Sequence, residues 1–178
     1  VVVGNIMKQR TFEEIAFKGH RQKTRAFLKI QEGCNMFCSY CIIPYARGPI
    51  RSRTIDSILA ETENLSRDGF KEIVLTGIHL GLYGYDFRDK HNHLLDVISR
   101  ISQIEGIERI RLSSIEALEL TDEFLDGLFK IRSFCHHFHI PLQSGCDTVL
   151  RRMNRRYTTD SFRNRIEYIR EIMPDVSI

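Results

Sequence analysis

Gly33-Cys34-Asn35-Met36-Phe37-Cys38-Ser39-Tyr40-Cys41 places three thiols within eight residues, at the spacing C-x3-C-x2-C. One short loop at this spacing can turn three sulfurs towards one inorganic centre. Gly33 and Asn35 are the turn formers that let the backbone do so. A structural zinc site takes four protein ligands, and this loop supplies three. A cubane iron–sulfur cluster normally takes four cysteines. With three, one iron keeps no protein ligand and is open to a small molecule, much as a catalytic zinc keeps one open position. Both metals stay open at this point, with a zinc site drawing its fourth ligand from Cys135, Cys146 or a histidine and serving as a non-catalytic RNA-binding module.

Working outward, Arg25-Ala26-Phe27-Leu28-Lys29-Ile30 reads as a short strand that delivers the loop at its carboxyl end. After the loop, Ile42-Ile43-Pro44 is apolar, and three arginines follow at 47, 51 and 53. Thr54 is an acceptable N-cap for a helix carrying Ile55, Ile58, Leu59 and Leu65, and Gly69 suits its end. Lys71 to Thr76 is a strand that turns apolar towards its end, as a buried parallel strand does. A loop rich in Gly and Tyr over 77–92 leads to a helix over 93–104 and a strand over 107–113. Thr121 caps a helix with Asp122 and Glu123 in its first turn. Phe138 to Leu142 is a strand, with Pro141 near its end because proline breaks a central ladder. A short helix through Val149, Leu150 and Met153 precedes a longer one from Thr158 or Thr159 to Pro174, and Val176 to Ile178 starts a further strand.

Strand and helix alternate without a hairpin, which requires crossover helices and a parallel sheet. The expected fold is α/β: a partial parallel (β/α) barrel, truncated after about four to five strands, since 178 residues are too few for eight βα units. Chemistry in such folds gathers at the carboxyl ends of the strands. The cysteine loop, Thr76-Gly77, Ser113-Ser114 and Gln143-Ser144-Gly145 all stand there. Residues 1–26 read as a lead-in, and 27–178 as the core domain. The chain begins Val1-Val2-Val3 without Met and stops at Ile178, both like interrupted strands, so a segment of a longer protein is expected.

The composition is ordinary for a globular domain, at 42% hydrophobic and 28% charged. No apolar run is long enough to span a membrane, and no signal peptide is visible. Five cysteines, an odd number, do not make a complete disulfide framework, and reduced thiols suit the cytoplasm. The net charge of +3 permits an acidic partner without demanding one.

The motif Cys34, Cys38, Cys41 resembles the signature of radical S-adenosylmethionine enzymes, which adopt a partial βα barrel. The runs from Arg25 to Cys34, from Cys38 to Gly48, and from Ile140 to Asp147 with Met153-Asn154-Arg155 are similar to the methylthiotransferases within it. Leu75-Thr76-Gly77-Ile78-His79-Leu80-Gly81-Leu82-Tyr83-Gly84 looks closest to the branch that modifies threonylcarbamoyladenosine in tRNA, with the isopentenyladenosine branch as the alternative. The resemblance implies a 4Fe-4S cluster on Cys34, Cys38 and Cys41 that holds S-adenosylmethionine at its free iron. One-electron reduction then releases a deoxyadenosyl radical, which abstracts hydrogen from the base next to the anticodon. It further implies a second 4Fe-4S cluster in an amino-terminal domain, a carboxyl-terminal RNA-binding domain, tRNA as partner and a reductant protein such as flavodoxin or ferredoxin. Neither flanking domain is in this chain, which is therefore expected not to complete methylthiolation alone.

Other residues are read from their positions. Thr76 and Gly77, Ser114 and Glu116, and Gln143 and Ser144 end strands where the cofactor would lie, and Arg155 suits a carboxylate. Each has a plain alternative in a local backbone bond or an exposed helix end. Arg47, Arg51 and Arg53 could steer an RNA backbone, and Tyr40, Tyr45, Tyr83 and Tyr85 could stack a base. His136, His137 and His139 beside Cys135 invite a metal reading, but strand alternation splits them between two faces, so core or edge histidines are expected. Cys135 and Cys146 read as structural thiols.

Overall fold

The computed structural model describes residues 4–14, 24–88 and 93–178. Parts of the expected lead-in (1–3 and 15–23) and of the 77–92 loop (89–92) lie outside these. Strand β1 (Arg25–Lys29) alternates, burying Ala26 and Leu28 and exposing Arg25, Phe27 and Lys29. It pairs in parallel with β4 (Glu72–Thr76), which in turn pairs in parallel with β5 (Arg109–Leu112). The intervening chain forms β2 (Gln31–Glu32), α1 (Ile43–Arg47), β3 (Arg51–Ser52) and α2 (Ile55–Arg67). Beyond β4 come α3 (His93–Ile101), α4 (Asp122–Phe129) after β5, α5 (Asp147–Arg152) and α6 (Thr159–Ile172).

The sheet order β1-β4-β5 continues through single parallel bridges, Ile110 to Phe134, Ser114 to His139 and His137 to Ser177. The expected strands at 138–142 and 176–178 are therefore reduced to isolated bridges. Pro141 supplies no ladder donor, which is the reason at the first of these. One expectation is corrected outright. The chain does contain an antiparallel pair, β2 with β3, in register Gln31 to Ser52 and Glu32 to Arg51. Two residues per strand carry no hydrophobic alternation, so nothing in the pattern announces it. Helix α1 is also new, with Pro44 in its first turn, where the missing N–H is harmless.

Alternation divides the sheet into two faces. Ala26, Leu28, Ile73, Leu75, Ile110 and Leu112 face the helices and are buried against Ile58 and Leu65 of α2, Val97, Ile98 and Ile101 of α3, and Phe124, Leu125 and Leu128 of α4. Each of these buried Leu, Ile, Val and Phe side chains contributes roughly 1.5–3 kcal/mol, and Ala26 less. Thr121 caps α4 by accepting from Phe124 N, and Thr158 and Ser161 form a reciprocal capping box at α6. Thr54 is the N-cap residue of α2 but makes no side-chain capping bond.

The opposite face carries Arg25, Phe27, Lys29, Glu72, Arg109 and Arg111. At its amino-terminal end Glu72 accepts from Arg109 Nε and Arg111 Nε, both at 3.1 Å, with Arg25 at 3.8 Å. Burial pushes the Glu72 carboxyl up, but the two arginine hydrogen bonds and the positive charges outweigh it and hold it below its ordinary value. A depressed carboxylate contributes stability above its unfolded pKa and loses it as pH falls through the folded one. Glu72→Gln is thus expected to cost about 1–3 kcal/mol at neutral pH. In urea titrations the gap to the parent should close as pH is lowered; a gap independent of pH overturns this account.

Candidate metal centre at the strand ends

The site begins with a side chain rather than a thiol. Gln31 opens β2, two residues past the end of β1, and is fully buried. Its Nε2 donates to Glu32 O at 3.0 Å and Gly33 O at 2.8 Å, while its Oε1 accepts from His79 N at 2.8 Å. The amide thus ties the start of the cysteine loop to the loop after β4. Gly33 then turns at φ +74°, where a Cβ would lie 1.9 Å from Pro49 O, so only glycine fits. Cys34 N donates to Gly48 O at 3.1 Å, and Asn35 Oδ1 accepts from Ile50 N at 3.3 Å.

The far end of the loop is held by the turn after α5. Ser39 N donates to Met153 O, and Asn154 Nδ2 donates to Met36 O at 3.3 Å and Phe37 O at 3.1 Å. Phe37 and Asn154 both stand in left-handed conformations, at φ +51° and +58°. Such residues persist where surrounding bonds over-determine them. Cys34, Cys38 and Cys41 are all free and half-buried.

Two polar pairs flank the thiols. Arg155 Nη1 donates to Cys38 Sγ at 3.5 Å, and Arg155 Nη2 pairs with Glu116. The guanidinium lies 5.1 Å from the Tyr157 ring centroid, and its Nε is buried without a hydrogen-bond partner. On the other side His79 Nδ1 lies 3.7 Å from Cys34 Sγ, and its Nε2 lies 3.1 Å from Glu119 Oε1. Burial pushes the Cys34 thiol up, but hydrogen bonds from His79 and Met36 N, with the charges of His79 and Arg155, leave it below the ordinary thiol value. Burial opposes protonation of His79, yet Cys34 and Glu119 outweigh it and raise its pKa to about 9.

The donor set bears on the metal. Among the described residues, no group of three or more His, Cys, Asp or Glu is gathered to hold a single ion. Cys135 bonds through its backbone to Ile110 on β5, and Cys146 is exposed at the N-cap of α5 rather than packed as a structural thiol. His136 pairs with Asp175, and His139 meets Ser114 Oγ at 2.7 Å. Three soft thiolates spread along a braced loop fit a cluster that presents separate irons to separate sulfurs.

The expected cofactor residues sort unevenly. Arg155 and Glu116 come together beside Cys38, and Gly77 packs against Gln31, where a Cβ would meet its side chain at 2.9 Å. Thr76 ends β4, and its carbonyl accepts from Ile30 N. Ser114 is engaged with His139. Gln143 turns at φ +64°, and Ser144 Oγ accepts from Cys146 N.

The three arginines do not form one exposed group. Arg51 is buried, bonding Arg47 O and Pro49 O and pairing with Glu32, and buried Arg53 pairs with Glu61. Only the Arg47 side chain is open, at 60% exposure. Tyr83 is a core residue that donates to Arg53 O at 2.6 Å, whereas Tyr40, Tyr45 and Tyr85 are exposed. Both corrections have one cause: β3 pairs with β2, which draws 51–53 and the loop covering them inward. The sequence does not single out Gln31, His79 and Glu119 as site residues, although a glutamine just past an apolar strand, two residues before Gly33, is a visible signal.

The chain matches the family described as the Radical SAM superfamily over residues 28–178. It is 46% identical over 176 residues to threonylcarbamoyladenosine tRNA methylthiotransferase MtaB of Bacillus subtilis, covering 99% of this chain and 39% of that protein. The enzyme of the same name from Aquifex aeolicus is 40% identical, over 100% of this chain and 43% of its own. A tRNA-2-methylthio-N(6)-dimethylallyladenosine synthase of Acetivibrio thermocellus is 37% identical, over 93% and 34%. The chain thus spans about two-fifths of the length of these relatives. Among solved structures, the radical S-adenosylmethionine methyltransferase TsrM of Kitasatospora setae aligns with a TM-score of 0.65 at 18% identity, over 85% of this chain and 29% of that one. Methylornithine synthase (PylB) aligns at 0.56 and 20% identity, over 83% and 41%, which shows a shared fold.

If Gln31 braces the loop, Gln31→Leu should cost about 2–4 kcal/mol, since it strands several buried backbone groups at once. Alkylation of Cys34 in the native protein should accelerate while that of exposed Cys146 stays constant. Unchanged stability and unchanged Cys34 labelling would rule the brace out.

Proposed function

We propose, starting from a chain that belongs to the radical SAM superfamily, that it forms the radical domain of a tRNA methylthiotransferase acting on N6-threonylcarbamoyladenosine. The observation that carries this reading is the braced three-cysteine loop with Arg155 and Glu116 beside it. Cys34, Cys38 and Cys41 would hold a 4Fe-4S cluster, leaving an iron free for S-adenosylmethionine. When bound, these two groups supply the one-electron cleavage of a sulfonium bond.

The chain's own residues bind and orient. Arg155 offers a guanidinium already desolvated and stacked, suited to a carboxylate. Glu116 keeps that guanidinium directed towards Cys38. Thr76, Gly77, Ser114, Gln143 and Ser144 line the strand ends where the rest of the cofactor would lie. Arg47 is the exposed member of its group, only loosely paired with Glu32 at 3.8 Å, and would be the one to meet an RNA backbone, while Tyr40, Tyr45 and Tyr85 are the exposed aromatics available for stacking. Identity of 46% to the threonylcarbamoyladenosine enzyme against 37% to a dimethylallyladenosine enzyme supports the first branch. The resemblance supports a second 4Fe-4S cluster on an amino-terminal domain, a flavodoxin- or ferredoxin-type reductant and a cytoplasmic location. Among the described residues, no helix is long and apolar enough to cross a membrane.

Anaerobic reconstitution tests the metal. Iron with acid-labile sulfide should bind, and the reduced sample should give an electron paramagnetic resonance signal that shifts when S-adenosylmethionine is added and disappears in Cys38→Ser. Stoichiometric zinc without sulfide overturns the proposal and favours the zinc module. Mass spectrometry of tRNA nucleosides from cells making the whole enzyme separates the two branches, by methylthiolated threonylcarbamoyladenosine or isopentenyladenosine. For the RNA face, Arg47→Glu should weaken tRNA binding and flatten its salt dependence by about one unit of slope.

A further inference from the structure

The His79–Glu119 pair is not absorbed by the function above. His79 stands three residues past β4, only 5% exposed, with both ring nitrogens committed: Nδ1 to Cys34 Sγ and Nε2 to Glu119. Its backbone is fixed as well, by the bond from His79 N to Gln31 Oε1. Glu119 is held in turn. Its side chain is 14% exposed, its Oε2 is buried without a hydrogen-bond partner, and it packs against Gly81, where a Cβ would approach its Cβ and Cγ to 2.6 Å. A carboxylate so enclosed depends on the imidazole for compensation. The residue is therefore held at three points, two on the ring and one on the backbone, and the ring atom it presents to the loop is Nδ1.

Resting on the iron–sulfur reading, we infer that His79 donates an N–H···S hydrogen bond to cluster ligand Cys34, and that His79 with Glu119 thereby sets the reduction potential of the cluster. A metal-bound thiolate has no proton, so the 3.7 Å contact is favourable only with the proton on Nδ1. Both ring nitrogens face acceptors, Cys34 Sγ and the Glu119 carboxylate, so the ring that fits this pocket carries an N–H on each, and Glu119, accepting from Nε2, orients the ring for the donation from Nδ1. Reduction adds negative charge to the cluster and its sulfurs, so a donor stabilises the reduced form more than the oxidised one and raises the potential. His79 is a positioning residue: it reaches the iron only through Cys34. The second flank is not equivalent, because Arg155 also pairs with Glu116.

The test is a redox titration of the reconstituted protein, followed by the reduced-cluster resonance, with iron and sulfide counted in the same samples. His79→Leu removes the donor at similar volume. It should load iron as the parent does and shift its one-electron equilibrium about tenfold towards the oxidised form, a midpoint lower by about 59 mV. His79→Asn, whose amide nitrogen can take the place of Nδ1, should titrate with the parent. Glu119→Gln should fall between the parent and His79→Leu. Full cluster content in His79→Leu with an unmoved midpoint overturns the inference. So does a His79→Asn midpoint as low as that of His79→Leu, and so does loss of iron from both variants, which would make His79 a scaffold for the loop. A parent that takes up no iron fails the iron–sulfur reading itself, and this inference falls with it; the metal count separates that case from the others.

Discussion

The side-chain amide of Gln31 is the constraint on which the rest of the site depends. A strand can deliver a loop to the end of a sheet, but it cannot hold that loop against its neighbours. Gln31 does so with three short hydrogen bonds, two into the cysteine loop and one into the loop after β4. Because these bonds are fully buried, leaving any of their groups unpaired carries the whole desolvation penalty. The consequence is local rigidity where Gly33 turns under Pro49. Thiols held this way pay little ordering entropy when they meet a metal centre.

Around that brace the molecule buries charge in pairs. Glu32 takes Arg51, Arg47 and Lys29, Arg53 takes Glu61, and Arg155 takes Glu116. Buried ion pairs add little net stability compared with apolar packing, but removing one partner is severe. Their effect here is on geometry. Pairing commits Arg51 and Arg53 to the interior, so that Ser52 can take Asp86 and Tyr83 can cap Arg53 O. The loop after β4 is thereby stitched over β3, and His79 arrives beside Cys34. Electrostatics at the two ends of the sheet thus serve different ends: the Glu72 cluster locks strands together, and the Arg155 and His79 pairs face the thiols.

Much of this was legible in the residues. The βα rhythm, the parallel order and the Thr121 and Thr158 caps follow from hydrophobic period and capping chemistry, which act over a few residues and leave a local trace. The loop thiols were legible for the same reason. Arg155 beside Glu116 was half visible: each was marked by its place in the chain, but not their contact. Arg51, Arg53 and Tyr83 are buried rather than on the surface, which the residues alone do not show because charge and aromaticity do not state which way a side chain points.

The sequence by itself determined the class of fold and the loop that carries three thiols, since periodicity and C-x3-C-x2-C spacing are properties of neighbouring residues. Only the tertiary structure decided which polar side chains turn inward. The two-residue pairing of β2 with β3 leaves no hydrophobic pattern, yet it sets the direction of Arg51 and Arg53. The contacts of Gln31 with His79 and of Cys34 with His79 span 48 and 45 residues. Such contacts exist only once the parallel strands are in register and the loops at their carboxyl ends are brought together, and no local rule carries that information.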